Sequence, residues 1–183
     1  LVLNQLVVKQ TTAVTILPGM VDVAKTKVDG SGLLGGKAGE LLTFSVTPAD
    51  IYGNVRAADA VTALVTVTLP DKTVKTIVPT LTAGTAGTTV AYTSTDAGSV
   101  AIVVSVGGEK TPTAYSGTIT PGPVSATQST ITGLSSCVPN QKSTFTITSK
   151  DDFGNAITAG GAPFLASLVQ AADGTVTIAE TPG

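Results

Sequence analysis

The stretch Ala49-Asp50-Ile51-Tyr52-Gly53-Asn54 returns about 100 residues later as Lys150-Asp151-Asp152-Phe153-Gly154-Asn155. Each copy follows an alternating run, Leu42-Thr43-Phe44-Ser45-Val46-Thr47 before the first and Ser143-Thr144-Phe145-Thr146-Ile147-Thr148 before the second. Alternation with a period of two marks a half-buried strand, so the aromatic-Gly-Asn that closes each copy reads as a turn. Gly53 and Gly154 supply a positive φ, Asn54 and Asn155 tolerate it and can bond their own backbone, and Asp50 and Asp152 are placed to cap the turn. A strand and turn recurring at domain-length spacing predict tandem β-domains, with Phe44 and Phe145 at equivalent core positions.

Composition agrees with that reading. The 183 residues are 42% hydrophobic and only 12% charged, which provides for a buried core and excludes general disorder. About one residue in six is Thr, Val is similarly common, and Gly and Pro punctuate the chain, as in all-β sandwiches. Helical periodicity is hard to find. A net charge of −2 with no Lys/Arg cluster argues against nucleic acid as a partner, because phosphate neutralisation needs a basic patch. No apolar run approaches the ~20 residues of a spanning helix, so no membrane insertion by this segment is expected.

The chain divides at its Pro-Gly pairs. Residues 1–19 hold two short strand-like runs and end in Leu17-Pro18-Gly19, resembling the close of the next unit at Thr120-Pro121-Gly122. They are expected to be the C-terminal strands of a preceding repeat. Residues 20–122 carry seven strand candidates: 23–28, 41–47, 61–69, 73–78, 89–93, 100–106 and 114–120. In the third, Val61, Ala63, Val65, Val67 and Leu69 share one face; in the fifth, Val90 and Tyr92 point inward; in the sixth, Val100, Ile102, Val104 and Val106 alternate. Seven strands in about 100 residues fit two packed antiparallel sheets. Residues 123–183 restart the pattern with candidates at 125–132, 143–149, 164–169 and 175–179 and then stop, so this repeat is expected to be completed by residues beyond Gly183. The chain is expected to be a segment of a longer array.

Few residues offer chemistry. Gly30-Ser31-Gly32-Leu33-Leu34-Gly35 has the letters of a dinucleotide fingerprint and Gly36-Lys37 hints at a phosphate loop, but both need a helix to follow, and 42–46 reads as strand. Asp50 with Asn54, and Asp151 with Asp152 and Asn155, bring oxygens suited to Ca²⁺. A calcium site takes six or more oxygens, and neither copy has enough carboxylates, so turn capping is the reading adopted. The chain has no histidine, which removes imidazole acid–base chemistry and His-ligated zinc. The single cysteine, Cys137, has no internal partner and is a candidate for an intermolecular or inter-repeat crosslink. No enzyme, cofactor or metal site is expected. With three Tyr, four Phe and no Trp, an aromatic platform for carbohydrate is not expected either.

Taken in order, Pro121-Gly122-Pro123-Val124-Ser125, Ser129-Thr130-Ile131-Thr132-Gly133-Leu134, Phe145-Thr146-Ile147, Asp152-Phe153-Gly154-Asn155 and Gly160-Gly161-Ala162-Pro163-Phe164 resemble filamin-type immunoglobulin-like repeats. Tyr92-Thr93-Ser94-Thr95-Asp96-Ala97-Gly98 is similar to that family's approach to its sixth strand. The first repeat lacks the Gly-Gly-x-Pro-Phe segment between Val55 and Val61. Bacterial invasin-type immunoglobulin-like repeats share the Asp-x-x-Gly-Asn turn and are the alternative family.

The resemblance implies an all-β chain of tandem, seven-stranded, filamin-like sandwiches with a structural or adhesive role through protein–protein contacts. It also implies a candidate edge-strand partner site on the third strand, Val61, Thr62, Ala63, Leu64, Val65, Thr66 and Val67, and the fourth strand beside it, where a partner peptide adds as a strand. Low charge and abundant Thr point to a cell-surface or extracellular filament whose partners are other protein chains or neighbouring repeats. The alternatives are a cytoplasmic, actin-crosslinking filamin relative of the cytoskeleton and a bacterial invasin-type adhesin repeat.

Overall fold

The computed structural model describes residues 15–57, 59–133 and 144–158 in full, and the backbone of 2–3, 6–7, 164–170 and 176–182. At the N-terminus, β1 (Val2–Leu3) and β2 (Leu6–Val7) form an antiparallel pair. The first full unit contains β3 (Lys27–Asp29), a 3-10 turn at Ser31–Leu34, β4 (Gly35–Lys37), β5 (Leu42–Thr47), β6 (Val61–Thr68), β7 (Val74–Ile77) and β8 (Thr80–Gly84). It continues through β9 (Gly87–Tyr92), β10 (Gly98–Val106), β11 (Glu109–Lys110) and β12 (Tyr115–Thr120). After it come β13 (Thr130–Thr132), β14 (Thr146–Thr148), β15 (Phe164–Gln170) and β16 (Val176–Pro182), with β13 paired to β14 and β15 to β16.

Two sheets face each other in the first unit. One runs β4-β12-β10-β6-β7, with β11 also on β10, and the other β3-β5-β9-β8. Every pairing is antiparallel except β4 on β12. Between the sheets lie Phe44 and Val46 from β5, Val65 and Val67 from β6, Val90 and Tyr92 from β9, and Val100, Ile102, Val104 and Val106 from β10. The alternation expected for these strands therefore holds. A fully buried aliphatic side chain of this size contributes about 1.5–3 kcal/mol relative to exposure, so these faces dominate the unit's stability.

Several strands differ from expectation. Residues 23–25 form a turn, because the Asp22 carboxylate accepts the Ala24 amide at 2.9 Å and the Asp22 carbonyl accepts those of Lys25 and Thr26. Local capping there overrides the β-propensity of Val23. Thr80–Gly84, between the fourth and fifth strand candidates, forms β8, whose residues are all exposed and so carry no apolar alternation. The glycine-rich run from Gly30 carries the chain from one sheet to the other: β3 pairs with β5, and β4 pairs with β12. This switch needs close backbone contact. A Cβ on Gly117 would lie 2.2 Å from the Leu34 carbonyl carbon and oxygen, and one on Gly35 would lie 2.1 Å from the Thr118 carbonyl oxygen.

The second copy repeats the local register of the first. Ile131 pairs with Ile147 as Val28 pairs with Val46, and the bridges Val21–Asp50 and Ala49–Val55 recur as Val124–Asp151 and Lys150–Ala156. Phe145 takes the place of Phe44 but is 37% exposed rather than 2%, contrary to expectation. Phe44 is covered by strands such as β9, which pairs Val90 beside it, and no counterpart surrounds Phe145 among the described residues.

Candidate functional site

The repeated turn is where the sequence concentrates specific polar geometry. In the first copy the amide of Gly53 donates to the Asp50 carbonyl at 2.9 Å, and the Asp50 amide donates to the Asn54 carbonyl at 3.0 Å. Gly53 has φ 86° and Gly154 φ 85°, the left-handed conformation that glycine adopts without strain. The Asp50 side chain then draws four N–H groups together. Its Oδ1 accepts Tyr52 N and Asn54 N, both at 2.9 Å; its Oδ2 accepts Asn54 Nδ2 at 2.9 Å and Gly19 N at 2.8 Å.

Asp151 repeats this arrangement. Its Oδ1 accepts Phe153 N at 3.0 Å and Asn155 N at 2.9 Å, and its Oδ2 accepts Asn155 Nδ2 at 2.7 Å and Gly122 N at 2.8 Å. The residue equivalent to Asp50 is thus Asp151; Asp152, expected to cap the second turn, is exposed beside it. In each copy the carboxylate ties the turn to a Pro-Gly pair, 31 residues before it in the first and 29 in the second. Two acids adjacent in sequence give no local signal of which one turns inward. The register of Asp50 relative to Gly53, carried over to Gly154, singles out Asp151.

Both carboxylates are fully buried, and both have their pKa held below the ordinary value. The Asn54 side chain has the largest influence on Asp50 and stabilises its charge; burial opposes it, and the amides of Gly19, Asn54 and Tyr52 add to it, lowering the pKa from 3.8 to about 2. At Asp151 burial is the largest influence and pushes the pKa up, but the Asn155 side chain and the amides of Gly122, Asn155 and Phe153 outweigh it, leaving it lowered. A carboxylate has about four lone-pair sites, and here four N–H donors fill them, so none is left for a cation. The geometry is that of a structural tie.

The second turn also reaches back onto the first unit. Asn155 donates from Nδ2 to the Thr95 carbonyl at 2.8 Å and accepts the Ala97 amide on Oδ1 at 2.9 Å. Ser94 shapes that loop: its hydroxyl donates to the Asp96 carbonyl at 2.8 Å and accepts the Asp96 amide at 3.2 Å. Lys75 pairs with Asp96 at 2.6 Å, and the Ser94 carbonyl accepts the Gly39 amide at 2.7 Å. The Phe153 ring lies over Gly39, where a Cβ would stand 2.6 Å from ring carbons. One turn therefore fastens Gly122 and at the same time grips the Gly39 and Thr95–Ala97 loops of the sandwich.

Sequence reasoning missed Arg56. Its guanidinium binds the Asp59 carboxylate through Nε at 2.6 Å and through its second terminal nitrogen at 2.9 Å, and it donates to the carbonyls of Pro18 and Gly19. Backbone pairing sets Ile157 in the equivalent place, so only the first linker has this second fastening among the described residues. Absence from the second copy hid it from a search for repeats.

The candidate partner strand is placed differently from expectation. Val61–Thr68 lies inside its sheet, paired along its length with β10, and Val65, Thr66 and Val67 also pair with β7. The edge is β7. Val61, Thr62, Ala63 and Leu64 pair on one side only among the described residues, because β7 ends opposite Val65. Cys137 and Gly160–Pro163 lie outside the described residues.

No protein-family model matches the chain, and no curated protein matches it significantly. Solved structures do. Invasin, a bacterial integrin-binding protein, aligns with TM-score 0.62 at 19% identity over 82% of this chain and 31% of its own. The Escherichia coli adhesin FdeC aligns with TM-score 0.56 at 21% identity over 90% of this chain and 57% of its own. A filamin domain of Lin-41 aligns with TM-score 0.47 at 20% identity over 56% of this chain and 98% of its own. The chain thus spans less than two thirds of the length of invasin or of FdeC. With the two-sheet topology, the invasin and FdeC alignments make the architecture an immunoglobulin-like β-sandwich.

Proposed function

We propose that this chain is part of a tandem immunoglobulin-like array in a structural or adhesive protein of a cell surface or extracellular filament. Residues 1–19 close one repeat, 20–122 form the next and 123–183 begin another. The observation that carries this reading is the paired tie: Asp50 to Gly19 and Asp151 to Gly122, both at 2.8 Å. A device that fixes the linker at both places spaces units at a set geometry. The same sandwich in invasin and FdeC supports a role at the surface. Partner proteins add as a strand along β7 or beside Val61–Leu64, where backbone groups are open among the described residues and Leu64, Val74 and Val78 are exposed.

Brief protease treatment of intact cells, followed by mass spectrometry of the released peptides, tests the location. Peptides from this chain should appear before lysis. Their appearance only after lysis would favour the cytoskeletal alternative.

A further inference from the structure

The two copies of the turn differ in one respect. Asn155 uses both ends of its amide on the unit before it, through Thr95 and Ala97. Asn54 has the same internal bonds to Asp50, but its side-chain oxygen Oδ1 accepts no hydrogen bond among the described residues. Phe153 rests on Gly39 and is 50% exposed, whereas Tyr52, at the same position, is 86% exposed. Leu17 and Met20, on either side of the first Pro-Gly linker, are 78% and 89% exposed. An aromatic ring and an amide held rigidly in one geometry, engaged in one copy and open in the other, define a surface with a known complement.

We propose that Tyr52 and Asn54 are the receiving half of a second clamp, and that its occupant is the distal end of an immunoglobulin-like unit preceding Pro18-Gly19. This rests on the array reading. The occupant's chemistry follows from the engaged copy. It presents a backbone carbonyl and an amide two residues apart, as Thr95 and Ala97 do, for Asn54, and a glycine turn like that at Gly39 for the Tyr52 ring. The linker at this end is already held for docking, since Asp50 fixes the Gly19 amide and Arg56 holds the Pro18 and Gly19 carbonyls. Fixing the linker in advance reduces the entropy lost when the units meet. The site selects a like unit rather than an arbitrary peptide, because one ring and one amide must be matched together.

Tyrosine nitration of the native full-length protein, read by mass spectrometry of the Tyr52 peptide against the same protein unfolded in urea, tests the clamp. If Tyr52 is clamped as Phe153 is, native reactivity should fall by more than about twofold below the unfolded value, and Asn54→Ala should return it towards that value. Tyr92, which is buried, is the internal standard for full protection. Native Tyr52 reactivity within about twofold of the unfolded value, with an immunoglobulin-like unit present before Pro18, would overturn the clamp and leave the array standing. A mature protein with no such unit before Pro18 would overturn both.

Discussion

Tyr92 donates its buried hydroxyl to the Gly32 carbonyl at 2.5 Å, joining β9 to the short 3-10 turn that carries the chain between sheets. Burial also raises the Tyr92 pKa, so the phenol stays protonated and keeps donating. Tyr92→Phe should retain the fold and lose about 1–3 kcal/mol, the penalty for a buried carbonyl left without its donor. Urea denaturation, with an unchanged slope and a lower midpoint, is the measurement; an unchanged midpoint would mean the bond contributes nothing.

Removing the linker tie is expected to act locally as well as globally. Asp151→Ala leaves the amides of Gly122, Phe153 and Asn155 without their acceptor, and should expose the peptide around Pro121-Gly122 to limited proteolysis. Asp152→Ala is the control, since that side chain is exposed and should leave cleavage unchanged.

The pH dependence follows from Asp50, whose carboxyl stands at about 2 in the folded chain against 3.8 ordinarily. A lowered folded pKa contributes stability that is complete above about pH 5 and is lost as pH falls through 3.8 towards 2. Asp151 shifts in the same direction. Stability measured from pH 6 to pH 2 should therefore fall in acid, and Asp50→Asn should be less stable at pH 6 with a flatter acid limb. An acid limb equally steep in both proteins would count against this carboxylate.

Much of the sandwich was legible in the sequence because burial on one face leaves a period of two. The run Val100, Ile102, Val104, Val106 in β10 is fully readable, and so are Val65 and Val67 in β6. The position of β6 within the sheet was not, because alternation reports a buried face and says nothing of which strands lie alongside. β8 escaped because it buries no side chain, and β4 because Gly35 and Gly36 have no side chains to alternate. In the site, the Asp-x-x-Gly-Asn turn was visible as a repeat. Its bonds to Gly19, Gly122 and the Thr95–Ala97 loop were not, since they join residues 29 to 60 positions apart.

Gly117→Ala should detach β4 from β12, because the added carbon would stand 2.2 Å from the Leu34 carbonyl group, where only backbone can move. Hydrogen exchange at Gly35–Lys37 and Thr118–Thr120 should speed up while β6 and β10 stay protected. Unaltered exchange at both segments would show that the switch between sheets absorbs the methyl group.

The parallel pairing of β4 with β12 matters for a chain pulled from its two ends. β4 lies near the start of the unit and β12 at its close, with Gly35, Gly36 and Lys37 opposite Thr118, Ile119 and Thr120. Tension applied through the linkers draws these strands past each other along their length, so their hydrogen bonds are loaded in shear together rather than peeled one at a time. Single-molecule stretching should find a distinct unfolding force for this unit, and Gly117→Ala should lower it. A mechanical resistance unaffected by that substitution would place the force-bearing contacts elsewhere in the sandwich.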